Sequence, residues 1–325
     1  MEEKVFTNRV DLSSLNESLI RVREEIGKVI VGQSKMIDLL ITAILADGHV
    51  LIEGVPGVAK TLTAKLLSKV ISVNFSRIQF TPDLMPSDVL GTSVYNVKKS
   101  EFEFRSGPIF SNIVLIDEIN RAPAKTQSAL FEVMEERQVT VDGTTYKLEP
   151  PYIVVATQNP IEHEGTYRLP EAQLDRFLFK IEVDYPNLEE ETAIIRGHHQ
   201  RKGAIPSNEV NSVLTAEQIK NYRNVVQQIH LEENIMRYIS QIIHETRNNA
   251  SLFLGASPRA SLAILNSSKA YAAINGRDFV TPEDIKFVTL PVLRHRIMLT
   301  PDKEMEGITA DEIVKQIVDK IEVPR

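Results

Sequence analysis

Short hydrophobic runs alternate with amphipathic segments through the first half of the chain. Helical spacing of apolar residues predicts helices such as Lys60–Val70 and Lys125–Glu136. Near-continuous hydrophobic strands separated by helices are typical of a parallel sheet that is covered on both faces, which predicts an α/β domain. The runs that predict strands are rich in Val, Ile and Phe: His49–Glu53, Val73–Phe80, Ile113–Asp117, Tyr152–Thr157 and Phe177–Val183.

The pattern changes near residue 187, after the sequence Tyr-Pro-Asn. Strand-like runs stop there, and the apolar residues of the segment 235–243 recur at helical spacing, which predicts a core stripe. We therefore predict an α/β domain over residues 1–186 and an all-helical domain over residues 187–325. Pairs typical of helix starts support this division: Thr215 with Gln218, Thr281 with Asp284, and Thr309 with Glu312.

Two predicted β-hairpins interrupt the first domain. The first spans residues 94–105 and places Phe102 and Phe104 on one face. The second spans residues 138–148 and turns at Asp142-Gly143, a pair that suits the positive φ angles of a two-residue turn. The hairpins are either surface decorations or elements that engage a partner.

Composition narrows the kinds of chemistry available to the chain. Of its 325 residues, 42% are hydrophobic and 25% are charged, as in ordinary globular proteins, and the length suggests two domains. The absence of cysteine excludes disulfides, Cys-ligated zinc, iron–sulfur clusters and thiol nucleophiles. The net charge of −7 weighs against binding of nucleic acid through general charge.

No part of the sequence predicts insertion into a membrane or export. The longest apolar run, near Leu39–Ala46, is shorter than the roughly 18 residues that a membrane span needs. The first ten residues are too polar for a signal peptide, and the histidines lack the spacing of a zinc site. We expect a cytoplasmic protein without a membrane span or a structural metal.

A glycine-rich segment between the first strand and the next helix indicates a phosphate site. Such a loop supplies backbone N–H groups around a triphosphate, a lysine for the outer phosphates and a hydroxyl for Mg²⁺, while the helix start favours an anion. Ala59 stands where glycine is usual, and a helical backbone at that residue would tolerate it. A chance match on an unrelated turn is the alternative. The predicted ligand-binding residues are Gly54, Val55, Pro56, Gly57, Val58, Ala59, Lys60, Thr61 and Leu62, of which Thr61 would also contact Mg²⁺.

Polar residues that end two further strands complete a predicted catalytic set. Asp117 would hold Mg²⁺ directly or through water, and its neighbour Glu118 would polarise the attacking water. Asn159 would orient that water or contact the γ-phosphate. The alternatives are a solvated acidic strand end and an asparagine that turns the loop before Pro160.

Two arginines are candidates to act on the same phosphates. Arg176 precedes the last strand and would stabilise developing phosphoryl charge from a neighbouring subunit; a weak local pair with Asp175 is the alternative. Arg259 follows Ser257 and Pro258, which suit an N-cap and a first helical position. It would reach nucleotide from the second domain, or be an ordinary exposed arginine.

The ordered series of motifs resembles the MoxR family of AAA+ ATPases over nearly the whole chain. The Ala59 departure recurs in the P-loops of this family. The segments that carry the resemblance are Gly54–Thr61, Gln79–Asp88, Leu115–Pro123, Ala156–Pro160 and Leu169–Phe177.

The resemblance implies a role for each motif. Residues 82–106 correspond to a helix-2 insertion, and residues 137–148 to the hairpin that precedes sensor 1. The implied site assignments are Walker A for Gly54–Thr61, Walker B for Asp117 and Glu118, sensor 1 for Asn159, the arginine finger for Arg176, sensor 2 for Arg259, and the adenine pocket for Val31, Gly32 and Gln33.

The resemblance also implies an architecture and partners. The sheet order would be 5-1-4-3-2, the cofactors would be ATP and Mg²⁺, and the assembly would be a homo-oligomeric ring, expected to be a hexamer. Proteins of this family are associated with partners that contain von Willebrand factor A domains, and with maturation of or metal insertion into other proteins.

Three functions are compatible with these residues. The first is a ring ATPase that hydrolyses ATP at subunit interfaces and remodels a protein client, because the chain contains both a phosphate cradle and an arginine without an evident place in its own site. The second is a scaffold that binds ATP, changes its assembly state and hydrolyses slowly. The third is a DNA-directed motor, which the acidic composition disfavours.

Overall fold

The structure is a computed structural model that describes residues 10–160, 166–167 and 169–324. The described residues divide into two compact units: one comprises residues 22–220, and the other combines the described part of Met1–Arg21 with Asn221–Arg325. The predicted domain boundary near residue 187 stays a prediction. Most of the polar start of the chain, residues 1–9, lies outside the described residues.

The strands and helices occur in the following order along the chain. The strands are β1 (His49–Gly54), β2 (Phe75–Gln79), β3 (Gly91–Asn96), β4 (Glu101–Ser106), β5 (Ile113–Asp117), β6 (Gln138–Val141), β7 (Thr144–Lys147), β8 (Ile153–Gln158), β9 (Phe177–Val183), β10 (Leu252–Leu254) and β11 (Met298–Leu299). The helices are α1 (Ser13–Gly27), α2 (Ser34–Leu45), α3 (Lys60–Val70), α4 (Pro86–Leu90), α5 (Ala124–Glu136), α6 (Glu171–Leu174), α7 (Leu188–Arg201), α8 (Ala216–Gln227), α9 (Glu233–Asn248), α10 (Pro258–Ile274), α11 (Pro282–Leu293), α12 (Pro301–Met305) and α13 (Ala310–Lys320).

Five parallel strands form the central sheet of the unit 22–220, in the order β2-β5-β8-β1-β9. Numbered among themselves these strands are 2-3-4-1-5, so the predicted order 5-1-4-3-2 is confirmed. Glu53 pairs with Gln158 and Gln79 pairs with Asp117, which brings the carboxyl ends of four strands to one edge. In open α/β sheets, ligands bind at this edge.

The core beside the sheet is built from aliphatic strand residues and one face of α5. Val114 of β5 and Val154 of β8 are fully buried and share this core with Leu130 and Met134 of α5. Residues four apart lie on one face of a helix, which is why the apolar spacing of α5 predicts its orientation. This face of α5 therefore packs into the same core as β5 and β8.

The C-terminal residues are helical with one exception, which corrects the prediction of an all-helical domain. Strands β10 and β11 pair antiparallel as a short ribbon. They contain three and two residues, too few for a hydrophobic period to be visible in the sequence. The predicted helix starts at Thr215, Thr281 and Thr309 are confirmed by reciprocal hydrogen bonds with the residue three positions later.

Both predicted hairpins are confirmed, and they contact each other. Tyr95 pairs with Phe102 in the β3–β4 hairpin, and Ser93 pairs with Phe104, so both phenylalanines lie on one face. The Phe104 ring stacks on Tyr146 of β7 with the ring centroids 4.3 Å apart. Ser93 Oγ also donates a hydrogen bond of 2.6 Å to Asp142 at the turn of the second hairpin. Neither hairpin is therefore an isolated decoration.

The length and polarity of the helices bear on membrane insertion. Among the described residues, every helix is too short or too polar to cross a bilayer.

Candidate nucleotide site

The loop between β1 and α3 contains two residues with left-handed backbone. Gly57 has φ +89°, and Ala59 has φ 62° and ψ 19°. The helical backbone that would make alanine tolerable at residue 59 is therefore not observed, and Ala59 is left-handed at the point where the loop joins α3. A side chain in this conformation costs roughly 1–2 kcal/mol. Left-handed residues among right-handed ones turn successive N–H groups into a concavity that suits an anion.

Two glycines of this loop serve different physical needs. A Cβ atom on Gly54 would lie 2.6 Å from the carbonyl oxygen of Val183 in β9, so close packing of the two strands requires glycine there. A Cβ atom on Gly57 would meet no described residue within 4 Å, so the requirement for glycine there is the positive φ angle.

The amino end of α3 is ready for an anion. Its N-cap is Ala59, which makes no side-chain capping hydrogen bond. The first N–H groups of a helix have no partner within the helix, and they form the positive end of its dipole. Phosphate oxygens would satisfy them.

Lys60 begins α3 and reaches back over the loop. Its Nζ donates a hydrogen bond of 2.5 Å to the carbonyl oxygen of Gly54. Burial lowers the pKa of Lys60, while the nearby carboxylates of Asp117, Glu118 and Glu53 oppose that shift. An incoming phosphate would offset the same loss of hydration, because it supplies further negative charge.

Asp117 ends β5 as a buried carboxylate with three polar neighbours. Its Oδ2 lies 2.6 Å from Nε of Arg77, and its Oδ1 accepts a hydrogen bond of 3.1 Å from Thr157 Oγ1. Thr61 Oγ1 lies 3.4 Å from each carboxylate oxygen. The structure therefore brings together the two oxygen donors that the sequence assigns to Mg²⁺.

Glu118 leaves the sheet with left-handed backbone, at φ 57° and ψ 54°. Its N–H donates to Thr157 Oγ1 over 3.1 Å, which fixes the main chain at this bend. Its Oε2 accepts a hydrogen bond of 2.8 Å from Gln79 Nε2 and lies 3.0 Å from Arg121 Nε. The carboxylate is thus held at the carboxyl end of the sheet, beside Asp117.

Asn159 follows β8, the strand that lies between β5 and β1 in the sheet. It is buried, and the register places it beyond Gln158, which pairs with Glu53 of β1. The sequence prediction of a polar amide next to the phosphate loop agrees with this position.

The segment 31–33 lies against the start of α7. Gly32 has φ +77°, and a Cβ atom there would lie 2.4 Å from Cδ of Glu190. Gln33 Nε2 donates a hydrogen bond of 3.4 Å to the carbonyl oxygen of Asp184, just after β9. This segment therefore lies beside the carboxyl end of β9, and Gly32 has no room for a side chain.

Arg176 lies at the opposite end of the sheet from the loop. Phe177, the next residue, pairs with His49 at the amino end of β1, whereas Gly54 at the other end of β1 pairs with Val183. The Arg176 guanidinium donates to the carbonyl oxygen of Phe131 and has Nε 3.4 Å from Glu135 Oε2, both on α5. The structure does not bring Arg176 to the loop of its own chain.

Arg259 is the second residue of α10. Ser257 is the N-cap and Pro258 the first helical residue, as the sequence predicts. The arginine belongs to the unit that contains the C-terminal helices, and its role toward nucleotide stays a prediction.

Sequence reasoning missed a chain of contacts that joins the two carboxylates, here called the carboxylate network. Arg77 Nη2 donates a hydrogen bond of 3.1 Å to Gln79 Oε1, and Gln79 in turn donates to Glu118. A detectable signal existed: Arg77 and Gln79 are two apart near the carboxyl end of β2, so they share one face of the strand that the implied order places beside β5. The network comprises Asp117, Arg77, Gln79, Glu118 and Arg121.

The residues present fit a magnesium-bound triphosphate. The loop and the uncapped start of α3 offer N–H donors, and Lys60 offers a cation. Thr61 and Asp117 offer hard oxygen ligands, which Mg²⁺ prefers. The parallel sheet order, this loop and the paired carboxylates define a P-loop nucleotide-binding protein.

Comparisons with known proteins agree with that class. Residues 49–179 match the ATPase family associated with various cellular activities (AAA), and residues 244–317 match the AAA lid domain. The chain is 47% identical over 310 residues to the uncharacterised protein YeaC of Bacillus subtilis, covering 95% of this chain and 96% of that one. It is 42% identical over 317 residues to the chaperone MoxR1 of Mycobacterium tuberculosis, covering 95% and 83%. A crystal structure from Cytophaga hutchinsonii, described as a candidate ATPase, has a TM-score of 0.89 and 43% identity, covering 96% and 97%.

These relationships confirm the resemblance that the motif series indicates. The chain belongs to the MoxR family of AAA+ ATPases. It is an ATPase with an AAA domain and an AAA lid.

Proposed function

We propose that the chain binds Mg-ATP at the carboxyl end of its sheet, hydrolyses it at the interfaces of a homo-oligomeric ring and remodels a protein client. One observation carries the interface part: Arg176 and the phosphate loop lie at opposite ends of β1 and β9. Six strand residues at about 3.3 Å each separate these ends by roughly 15–20 Å. An arginine so placed serves a neighbouring subunit more readily than its own.

Each residue of the cleft has a proposed task. Lys60 and the loop N–H groups bind the phosphates, and Thr61 and Asp117 hold Mg²⁺. The bound ion supplies charge neutralisation at the phosphate oxygens. Glu118 polarises the attacking water and receives its proton, a task that Asn159 assists by orienting the water. The adenine would lie at the segment 31–33, and Arg259 would act as sensor 2.

The remodelling part of the proposal has a different support. A relative that is 42% identical over nearly the whole chain is named as a chaperone. We therefore propose that the chain acts on a client protein. The family resemblance adds a partner protein that contains a von Willebrand factor A domain. The hexameric ring and a cytoplasmic location belong to the same proposal, and native mass spectrometry with and without nucleotide tests the ring.

Mixing two inactive variants tests the shared site. Glu118→Gln keeps the arginine but loses the base, and Arg176→Ala keeps the base but loses the arginine. We expect each variant alone to be nearly inactive and a mixture to recover ATPase activity, because about a quarter of the interfaces in randomly mixed rings combine both intact groups.

The control for mixing is the pair Glu118→Gln with Arg176→Ala in one chain, which should never recover activity. Native mass spectrometry of one isotope-labelled variant shows whether mixed rings form. Mixed rings without recovered activity would contradict an arginine supplied by the neighbour.

A slow assembly scaffold is the second candidate, favoured by one observation. Oε2 of Glu118 is engaged by both Gln79 and Arg121, and a base so engaged is less available to water. Steady-state turnover measured with and without a bound partner separates the candidates. A scaffold would change its assembly state with ATP while its turnover stays slow in both conditions.

A further inference from the structure

The pairing of Asp117 with Arg77 has no place in the functions assigned above. Arg77 Nε lies 2.6 Å from Asp117 Oδ2, and the aspartate side chain is only 9% exposed while that of the arginine is 53% exposed. A buried carboxylate without a counter-charge is costly. The hydroxyls of Thr157 and Thr61 supply hydrogen bonds but no charge. Lys60 also lies near enough for its charge to act on Asp117, but among the described residues Arg77 is the cation in direct contact with this carboxylate. In the protein without metal, Arg77 therefore supplies the contacting positive charge.

The ion pair with Arg77 conflicts with the proposed binding of Mg²⁺ by Asp117. A guanidinium and a divalent ion that share one carboxylate repel each other over a few ångströms, and the repulsion is strong where water is scarce. The exposed side chain of Arg77 has solvent into which its guanidinium can withdraw. Thr61, by contrast, would gain from the same ion, because its hydroxyl oxygen is a ligand.

We propose that Arg77 is a positioning residue that occupies Asp117 in the metal-free protein and gives up this carboxylate when metal binds. The pairing thus sets the Mg²⁺ concentration at which nucleotide binds. This inference rests on the proposed function, since it requires Asp117 to serve a metal.

The departure of Arg77 has a consequence at Glu118. Gln79 presents its amide oxygen to Arg77 and its amide nitrogen to Glu118. The two contacts together fix which way the amide faces, because each requires the opposite end of the same group. When Arg77 withdraws, Gln79 loses the contact that fixes its orientation. Arg121 would still contact Glu118 Oε2, so one of the two contacts that hold this carboxylate would stay in place.

Three variants of the full chain test the proposal by nucleotide binding. Arg77→Gln removes the charge, Arg77→Lys keeps it, and Arg105→Gln makes the same change of charge at an exposed hairpin residue. Binding of a non-hydrolysable ATP analogue is measured by calorimetry over a series of Mg²⁺ concentrations. We expect Arg77→Gln to lower the half-saturating Mg²⁺ concentration about tenfold. Arg77→Lys should stay close to wild type, and Arg105→Gln should not differ from it.

An unchanged or raised half-saturating Mg²⁺ concentration in folded Arg77→Gln would overturn the proposal. If that variant does not fold, the wild-type chain still provides the answer. Its arginine Nε–H signals are recorded by NMR, and the signal missing from Arg77→Lys is assigned to Arg77. We expect this signal to lose its protection from exchange on addition of Mg²⁺ and the analogue, whereas retained protection would overturn the proposal.

Different results would contradict nucleotide binding and the role of Arg77. A wild-type chain that binds no analogue at any Mg²⁺ concentration would contradict the proposed function itself. A wild-type chain that binds in a Mg²⁺-dependent manner, together with an Arg77→Gln variant of identical dependence, would leave the proposed function standing and remove only the role of Arg77.

Discussion

The nucleotide cleft and the pair of hairpins are held together by different kinds of contact. In the cleft, charged and polar side chains meet, as in the pairs Arg77 with Asp117 and Gln79 with Glu118. Between the hairpins, the stacked rings of Phe104 and Tyr146 supply the apolar contact, beside a single side-chain hydrogen bond from Ser93 to Asp142 among the contacts described above. An ionic contact can be replaced by a phosphate or a metal ion, whereas a stacked ring has no such substitute. The cleft is therefore suited to exchanging partners, and the hairpin pair to keeping its shape.

The largest expected effect is a loss of ATP binding in the cleft without a loss of the fold. Lys60→Ala removes the one lysine at the start of α3, and charge-assisted contacts to phosphate are among the strongest hydrogen bonds. We expect ATP affinity to fall about 100-fold or more in calorimetry, while the melting temperature stays near that of wild type. Lys65→Ala, an exposed position on the same helix, is the control and should bind normally. Unchanged affinity in Lys60→Ala would contradict the assignment of the loop.

The next largest effect is a loss of stability where the two hairpins meet, with the cleft unchanged. Phe104→Ala removes the stack on Tyr146 and the edge contact with Phe110. Because the ring is half-buried, we expect a loss of about 2 kcal/mol in the free energy of unfolding, measured with denaturant. Phe102 lies on the same face, is 73% exposed and makes only an edge contact with Tyr95, so Phe102→Ala should cost less, about 0.5–1 kcal/mol. Equal losses in the two variants would show that the stack does not stabilise the pair.

The smallest expected effect is a change in the free energy of unfolding at Ala59, one backbone position of the cleft. Ala59→Gly relieves the left-handed strain, partly offset by the greater freedom of glycine in the unfolded chain. We expect the free energy of unfolding to rise by up to about 1 kcal/mol with ATP binding retained. Ala193→Gly within α7 should change stability in the opposite direction, by about 0.5–1 kcal/mol. A loss of stability in Ala59→Gly would indicate that its backbone is not strained.

Much of the fold could be predicted because its signals are local. The hydrophobic runs predict the five sheet strands within about two residues of their observed bounds, and Asp142-Gly143 predicts the second hairpin turn through its positive φ angles. The order of the strands has no such local signal, and only the family resemblance supplied it. Ribbon strands β10 and β11 were missed because they are too short to show a period.

The sequence indicates which residues belong to the candidate site, but it does not indicate every contact between them. Lys60, Thr61 and Asp117 were assigned from spacing, and the structure brings them together. The left-handed backbone of Ala59 could not be predicted, because the conformation of one loop residue leaves no periodic signal in the sequence. The pairing of Arg77 with Asp117 depends on which strands are neighbours, a property of the folded sheet rather than of either strand.

The joined hairpins have a mechanical consequence for the two central strands. One hairpin leads into β5 through the turn at Pro108–Phe110, and the other leads into β8. Because the hairpins contact each other, a force applied to either one would act on the amino ends of both β5 and β8. Asp117 ends β5, and Asn159 directly follows β8. The two residues would therefore move together when the hairpins are displaced, so the distance between them would stay nearly constant.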